Sequence, residues 1–451
     1  MLSMEFLKLF NLSNNRIDVE KSYDSFDSSA NNHTINLWSK KDIISKCPKC
    51  NSIDLYFNGT RKKKINYAAS KEMNITLIFH RQSYKCNSCD YYFQEDNPFV
   101  FRSRKISLNT KMKVLELLKM PNLNYDYIAK EVGISKTSVI NIFDQYVSLH
   151  RVKLPQVLSI DEIYAKKLTV SKYCCILYSP QLKLIIDVLP SRHKLKLIDY
   201  FAHIPFEEKL KVEYVSIDMW ESYKEVANLC LPKAKVCVDS FHVIKHLNDC
   251  FQQIRIRIMK KYEYLKHQND NYYWLLKKYN RFLLTDISNL PDTIQVSHSK
   301  SYMTKYQVID YMLSIDYILK KAYELKEEYR HFNETSTVEE APQLLAELIH
   351  KFKISGISEY EEFWKLLEHW HDEIINSFNR INGYRISNGK IERVNNTIKL
   401  IIRTSYGLSN FERMRNRVMY VNNESAPIRA VPKTTTNKKV GKKRGKYKKN
   451  N

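Results

Sequence analysis

Four cysteines fall in two tight pairs, Cys47-Pro-Lys-Cys50 and Cys86-Asn-Ser-Cys89, with 35 residues between them. A C-x-x-C knuckle presents two sulfurs from one turn, and four thiolates make the tetrahedral donor set of zinc. All four positions are then protein ligands, none is left for a substrate, and the expected role is structural. Four buried reduced thiols are the alternative, but they do not explain paired spacing twice over. The other five cysteines, Cys174, Cys175, Cys230, Cys237 and Cys250, lie in apolar runs and read as inert core thiols.

A second set is acidic. Asp161 closes the apolar run Leu158-Ser-Ile and is followed by Glu162, Asp218 closes Val215-Ser-Ile, and Asp239 closes Val236-Cys-Val. Glu392 lies on a helix expected to start near Asn388. Carboxylates at the ends of adjacent strands converge on one edge of a sheet, where two divalent cations can be held. Such a pair clamps the attacking and leaving oxygens of a phosphodiester displacement. Any single strand-terminal Asp can simply cap a turn; three in one small sheet of a basic chain favour the metal reading. His242 and Lys245 share one face of a helix beginning beside Asp239 and are placed to touch phosphate. Trp220 and Tyr223 read as packing residues.

A third pattern runs Tyr127-Ile-Ala129-Lys-Glu-Val-Gly133-Ile-Ser135-Lys-Thr-Ser-Val139-Ile-Asn-Ile142-Phe143. Ala129 is small enough for a close helix crossing and Gly133 can take positive φ in the turn. Ser135 can cap a second helix whose Val139, Ile142 and Phe143 face inward. This is a helix-turn-helix pattern, with Lys136, Thr137, Ser138 and Asn141 on the face offered to DNA. Residues 101–153 hold ten basic and four acidic side chains, which favours DNA over an ordinary helical hairpin.

The elements that position these residues follow from the patterning. At 451 residues the chain exceeds one ordinary core, and 43% hydrophobic with 27% charged residues is a folded composition. Lys and Arg outnumber Asp and Glu by 73 to 49, a net charge of +24 that implies a polyanionic partner. The best membrane candidate, Ile176 to Leu189, is broken by Lys183 and Asp187 and is too short to span. With no charged-then-apolar leader, neither a membrane nor a secreted protein is expected, and the expected location is cytoplasmic. Residues 1–45 carry Asn, Ser and Asp clusters and read as a loose lead-in. Residues 46–93 read as short strands around the metal, with Arg61 to Lys64 at a basic hairpin tip, and 104–150 as the helix-turn-helix domain. From Pro155 three strands precede alternating helix and strand, which predicts a mixed α/β sheet. Residues 251–379 read as a helical insertion. Helices near Asn388 to Arg403 and Asn410 to Asn422 follow, and residues 433–451 read as a disordered basic tail.

These blocks together resemble bacterial insertion-sequence transposases of the ISL-three type. The resembling residues are the four cysteines, then Leu158 to Glu162, Ile217 to Tyr223, Pro232 to Lys245, and Ser387 to Lys399 continuing through Arg403 to Gly407. The resemblance spans about residues 45–422. It implies a multidomain chain: a small zinc-binding module, an α-helical helix-turn-helix, and a ribonuclease-H-like α/β domain over 155–250 and 380–422, interrupted by the helical insertion. It implies Asp161, Asp218 and Glu392 as the DDE triad holding magnesium or manganese, with Asp239 and His242 in support. Lys399 and Arg403 are expected on DNA. Position 240 is Ser where the family block has Arg, so one phosphate contact is expected to be missing. The implied protein is nucleoid-associated and works as a homo-oligomer on DNA, binding terminal inverted repeats and target DNA for cleavage and strand transfer. A DNA-binding regulator with an inactive DDE domain, or a metal-dependent nuclease without strand transfer, are the alternatives.

Overall fold

The computed structural model describes residues 2–9, 12, 14–29, 32–40, 44–69, 74–100, 105–165, 171–267, 271–296, 302–405 and 410–430. The tail expected at 433–451 lies outside them. The chain forms two compact units, Met1–His150 with Thr397–Asn451, and Arg151–Asn396. Among the described residues no helix is long and apolar enough to cross a membrane.

The first unit is built on a five-stranded sheet: β1 (Ile17–Asp27), β2 (Asn32–Ser39), β3 (Leu55–Ala69), β4 (Asn74–Cys86) and β5 (Tyr92–Gln94). Its order is β1-β2-β4-β3, with β5 also on β4, and β2 runs parallel to β4. Two expectations are corrected here. Residues 1–45 are not a loose lead-in, because they contribute β1 and β2 to the sheet and Leu7, Leu12, Ile17, Ile35 and Leu37 to its core beside Leu77 and Phe79. The period-2 alternation in Ile17-Asp-Val19 and Ile35-Asn-Leu37 is real but short, and the surrounding Asn and Ser hide it. Arg61 to Lys64 is not a hairpin tip either. It lies mid-strand in β3, a long edge strand, where a row of cations blocks pairing with another chain.

Helices Leu108–Leu117, Tyr125–Val132 and Lys136–Tyr146 follow, the last two over the residues that the Tyr127 to Phe143 pattern marks. Gly133 ends the second with φ +65°, and the Ser135 side chain accepts the Ser138 N–H to start the third. The helix Phe411–Asn422 belongs with them, not with the α/β sheet as its place within 380–422 predicts. It buries Met414, Arg417, Val418 and Tyr420, and the Arg417 guanidinium donates to the carbonyls of Met120 and Leu123 at 2.9 and 3.1 Å.

The second unit holds the predicted mixed sheet: β6 (Val157–Tyr164), β7 (Tyr173–Ser179), β8 (Leu184–Leu189), β9 (Tyr214–Ile217) and β10 (Lys235–Val238). The order is β10-β9-β6-β7-β8. β6, β7 and β8 are antiparallel neighbours, whereas β9 and β10 run parallel to β6, joined by crossover helices that include Lys194–Ala202 and Glu221–Cys230. Among the described residues the stretch read as insertion is largely helical, with a short antiparallel pairing of Thr293–Gln295 and Tyr302–Thr304. It is not an independent core. Helix Ser240–Lys261 runs unbroken across the expected boundary at 250/251, and Phe251, Ile254, Tyr329 and Phe363 belong to the same apolar cluster as Leu158, Val215 and Val238.

Candidate functional site

The two cysteine pairs meet. The Sγ atoms of Cys47 and Cys89 are 3.7 Å apart, those of Cys50 and Cys86 are 3.5 Å apart, and all four lie within 4.8 Å of one another. Four sulfurs at about 2.3 Å from one zinc stand about 3.8 Å from each other, so the donor set fits that ion. The knuckles are built alike. The Asn51 N–H returns to the Cys47 carbonyl and the Asp90 N–H to that of Cys86, and both turning residues have positive φ, +60° and +54°. The Asn and Asp types tolerate that conformation. Burial pushes the Cys86 thiol up, but the backbone N–H groups of Cys89 and Ser88 and the Cys50 thiol outweigh it and hold it at about 7. A thiol poised to ionise at neutral pH is a ready zinc ligand.

The acidic site follows from strand register. Val157, Leu158 and Ser159 of β6 pair with Tyr214, Val215 and Ser216 of β9, and that offset sets Asp161 level with Asp218. Lys235 to Val238 of β10 pair with Tyr214 to Ile217, which sets Asp239 level with Asp218. The three aspartates therefore share one row across three parallel strands, where neighbouring side chains leave by the same face. One expectation is refined: Asp161 does not close its strand, because β6 continues to Tyr164 along β7. What stops is the pairing with β9, after Ser159, so Asp161 still reaches an open edge.

Asp161, Glu162 and Asp218 each offer an oxygen within 4.8 Å of the others. Asp161 Oδ2 accepts the Asn395 amide at 2.6 Å, and its Oδ1 accepts the Glu162 N–H at 2.7 Å. Glu162 Oε1 accepts Arg192 Nη1 at 2.6 Å, and Oε2 accepts the Tyr223 hydroxyl at 3.0 Å. Asp218 Oδ1 is buried with no hydrogen-bond partner. Burial, then the charges of Glu162 and Asp161, push the Asp218 carboxyl up to about 7, and burial likewise raises Asp161. Three clustered carboxyl groups that share one guanidinium and leave a buried oxygen orphaned meet the condition a divalent cation relieves, so the donor set fits hard cations.

Asp239 and His242 stand beside this cluster. Buried Asp239 accepts the Asn388 backbone N–H at 3.2 Å and pairs with His242 Nδ1 at 3.3 Å. That bond raises the His242 pKa, and the charges of Asp218 and Asp161 add to the effect. Asp239 thus fixes the start of helix Gly389–Thr404, which Asn388 and Asn395 also tie to β6.

Glu392 is on that helix, exposed and outside the 4.8 Å group. At 100° per residue, however, it shares one stripe with Asn388 and Asn395, four residues after the first and three before the second. Lys399 and Arg403 are exposed further along the helix. Lys136, Thr137 and Asn141 are exposed and Ser138 is half-buried at its helix start, whereas Val139, Ile142 and Phe143 are buried. The sequence reading gave no role to Asn388, Asn395, Glu162 or Arg192, and took Tyr223 for packing alone. The first three stand inside quoted motif blocks, but Arg192 lies in a loop with no pattern around it.

A family model described as a transposase, of the ISL-three DDE type, matches residues 158–418, more than half of the chain. No curated protein matches the sequence.

Proposed function

This chain belongs to the transposases of the ISL-three DDE type, and we propose that it binds the ends of its own element and cuts and rejoins DNA there by metal-dependent phosphodiester chemistry. The observation that carries this reading is the row of Asp161, Asp218 and Asp239 set by parallel register, with an orphaned oxygen on Asp218. We read the β10-β9-β6-β7-β8 sheet as ribonuclease-H-like, and the helices Tyr125–Val132 and Lys136–Tyr146 as a DNA-binding helix-turn-helix. Asp161, Asp218 and Glu392 are the proposed holders of magnesium or manganese. Bound there, the cations supply a Lewis acid for the phosphodiester and an activated water or 3′-hydroxyl.

The chain's own groups prepare that chemistry. Asn395 holds one oxygen of Asp161 and thereby fixes the direction of the other. Asp239 seats the helix that carries Glu392, and its bond to His242 Nδ1 holds that ring beside the acidic cluster and raises its pKa. Lys399 and Arg403, with the helix-start residues Lys136, Thr137, Ser138 and Asn141, are proposed to hold DNA phosphates and bases. Zinc at Cys47, Cys50, Cys86 and Cys89 is proposed to brace the end-binding module, and the working form is a homo-oligomer on DNA.

The test is a cleavage and strand-transfer assay on DNA carrying the element's ends with magnesium or manganese. Wild type should cut and join. Asp161→Asn and Glu392→Gln should each abolish both steps while end binding at low salt survives. Cutting without joining in wild type would replace the reading with a nuclease, and binding without cutting would replace it with a regulator. Normal cleavage by Glu392→Gln would remove that residue from the site.

A further inference from the structure

We infer that Glu162 is a further cation-binding carboxylate beside Asp161 and Asp218, and that Arg192 is its positioning residue. The inference rests on the reading of the aspartate row as a cation site and adds two residues to it.

Glu162 is held as a ligand is held. Both of its oxygens are engaged: Oε1 by Arg192 Nη1 at 2.6 Å and Oε2 by the Tyr223 hydroxyl at 3.0 Å. Tyr223 is wholly buried in the main apolar cluster, so that hydroxyl is a fixed donor. The Arg192 guanidinium is fixed as well. It lies 4.1 Å from the centre of the Tyr173 ring and 4.4 Å from that of Trp220, and Trp220 meets Tyr223 edge-on at 4.6 Å. A planar cation between two aromatic faces keeps one orientation, which a lysine in its place could not reproduce.

A purely structural Arg192–Glu162 pair does not account for the placement. The one arginine engages only Glu162 of the three clustered carboxyl groups, and the Asp218 Oδ1 oxygen in the same cluster has no hydrogen-bond partner. A carboxylate oxygen can accept from a donor and coordinate a metal at once, and partners of that kind set ligand direction and affinity. The frame of Arg192 and Tyr223 therefore leaves Glu162 lone pairs free for a cation while removing the side chain's freedom to turn away.

The test is Mn²⁺ binding to the full-length, zinc-loaded chain without DNA, by isothermal titration. Melting by circular dichroism runs in parallel. Glu162→Gln should weaken Mn²⁺ by about tenfold or more. Arg192→Lys, which keeps the charge but loses the fork and the stacking, should weaken it by several-fold with a melting temperature close to wild type. Asp161→Asn serves as the reference. Wild-type affinity in Glu162→Gln, with loss in Asp161→Asn, overturns the role of Glu162 and leaves the aspartate site standing. Wild-type affinity in both removes the cation site itself. If Glu162→Gln does not fold, Arg192→Lys and Tyr223→Phe decide the matter, and unchanged Mn²⁺ affinity in both overturns the inference.

Discussion

Asp218 offers the sharpest test of how this site is built, because replacing a proposed catalytic residue should make the cation-free protein more stable. Its carboxyl rises from 3.8 to about 7, through burial first and then the charges of Glu162 and Asp161. A carboxyl with a raised folded pKa keeps its proton longer in the folded state than in the unfolded chain. Folding stability therefore falls as pH climbs from about 4 to about 7 and is level above that. The interval corresponds to at most about 4 kcal/mol. Asp218 is half-buried and keeps some solvent contact, so about 2–3 kcal/mol is the expected penalty at pH 8. Asp218→Asn keeps the shape and removes the charge. At pH 8, zinc-loaded variant freed of other divalent cations should melt roughly 5–10 °C above wild type in the Arg151–Asn396 unit. At pH 4 the two should melt together. Adding Mn²⁺ should raise wild type and leave the variant nearly unmoved.

Calorimetry across that pH range is the assay. Wild type alone would not suffice, because Asp161 is also raised by burial and His242 is raised by Asp239. The protonated His242 contributes stability below its unfolded pKa that is lost as pH rises through its folded one, the same direction as the aspartates. The difference between variant and wild type cancels the Asp161 contribution and leaves that of Asp218 together with its share of the His242 shift. A variant that melts at or below wild type at pH 8, or keeps its advantage at pH 4, refutes the reasoning.

The remaining expectations are simpler. Purified protein should carry about one zinc per chain, and Cys86→Ser should lose it and open the strand ends around Leu55–Phe57 and Tyr84–Gln94 to protease, while the core around Leu37, Leu77 and Phe79 resists; metal analysis and mapped proteolysis read this, and full zinc in the variant would reject the site. Asn395→Ala removes the amide from Asp161 Oδ2, so the acid limb of the cleavage pH profile should move upward with end binding intact; a superimposable profile would deny Asn395 a positioning role. Lys136→Ala should lower the salt dependence of end binding by about one ion on a log–log plot, and an unchanged slope would take that side chain off the phosphates.

Much of the sheet that carries the aspartates was legible because its signals are local. Apolar runs ending in Asp marked β6, β9 and β10, and the 57-residue interval from Asp161 to Asp218 proves to be the register offset of two parallel strands. The cysteine pairs were legible because the turn that aims two sulfurs is itself the motif. What stayed hidden is held by distant packing. Arg192 is defined by two ring faces and a carboxylate from other elements, and no window of sequence around it carries a period. The first 45 residues were misread because β1 and β2 are stabilised by pairing with each other and with β4, through alternations only two or three residues long. Helix Phe411–Asn422 showed its period but not its destination, which is fixed by buried Arg417 reaching the Met120 and Leu123 carbonyls.

Charge ties the two proposed metal sites to the chain as a whole. A net charge of +24 draws a polyanion to almost any part of the surface, yet the proposed point of chemistry is the place where carboxylates are crowded. A phosphodiester approaching Asp161, Glu162 and Asp218 without cations meets three crowded carboxyl groups with one guanidinium, that of Arg192, on Glu162. The approach is repelled locally while it is favoured globally. A divalent cation reverses the local sign and matches it to the rest of the surface. The cysteine site follows the opposite logic: its four donors close on one another, so zinc bound there would complete a fold and expose no open position. In one case the residual charge is spent on rigidity; in the other it is kept available, which is why the cost in stability falls on Asp218.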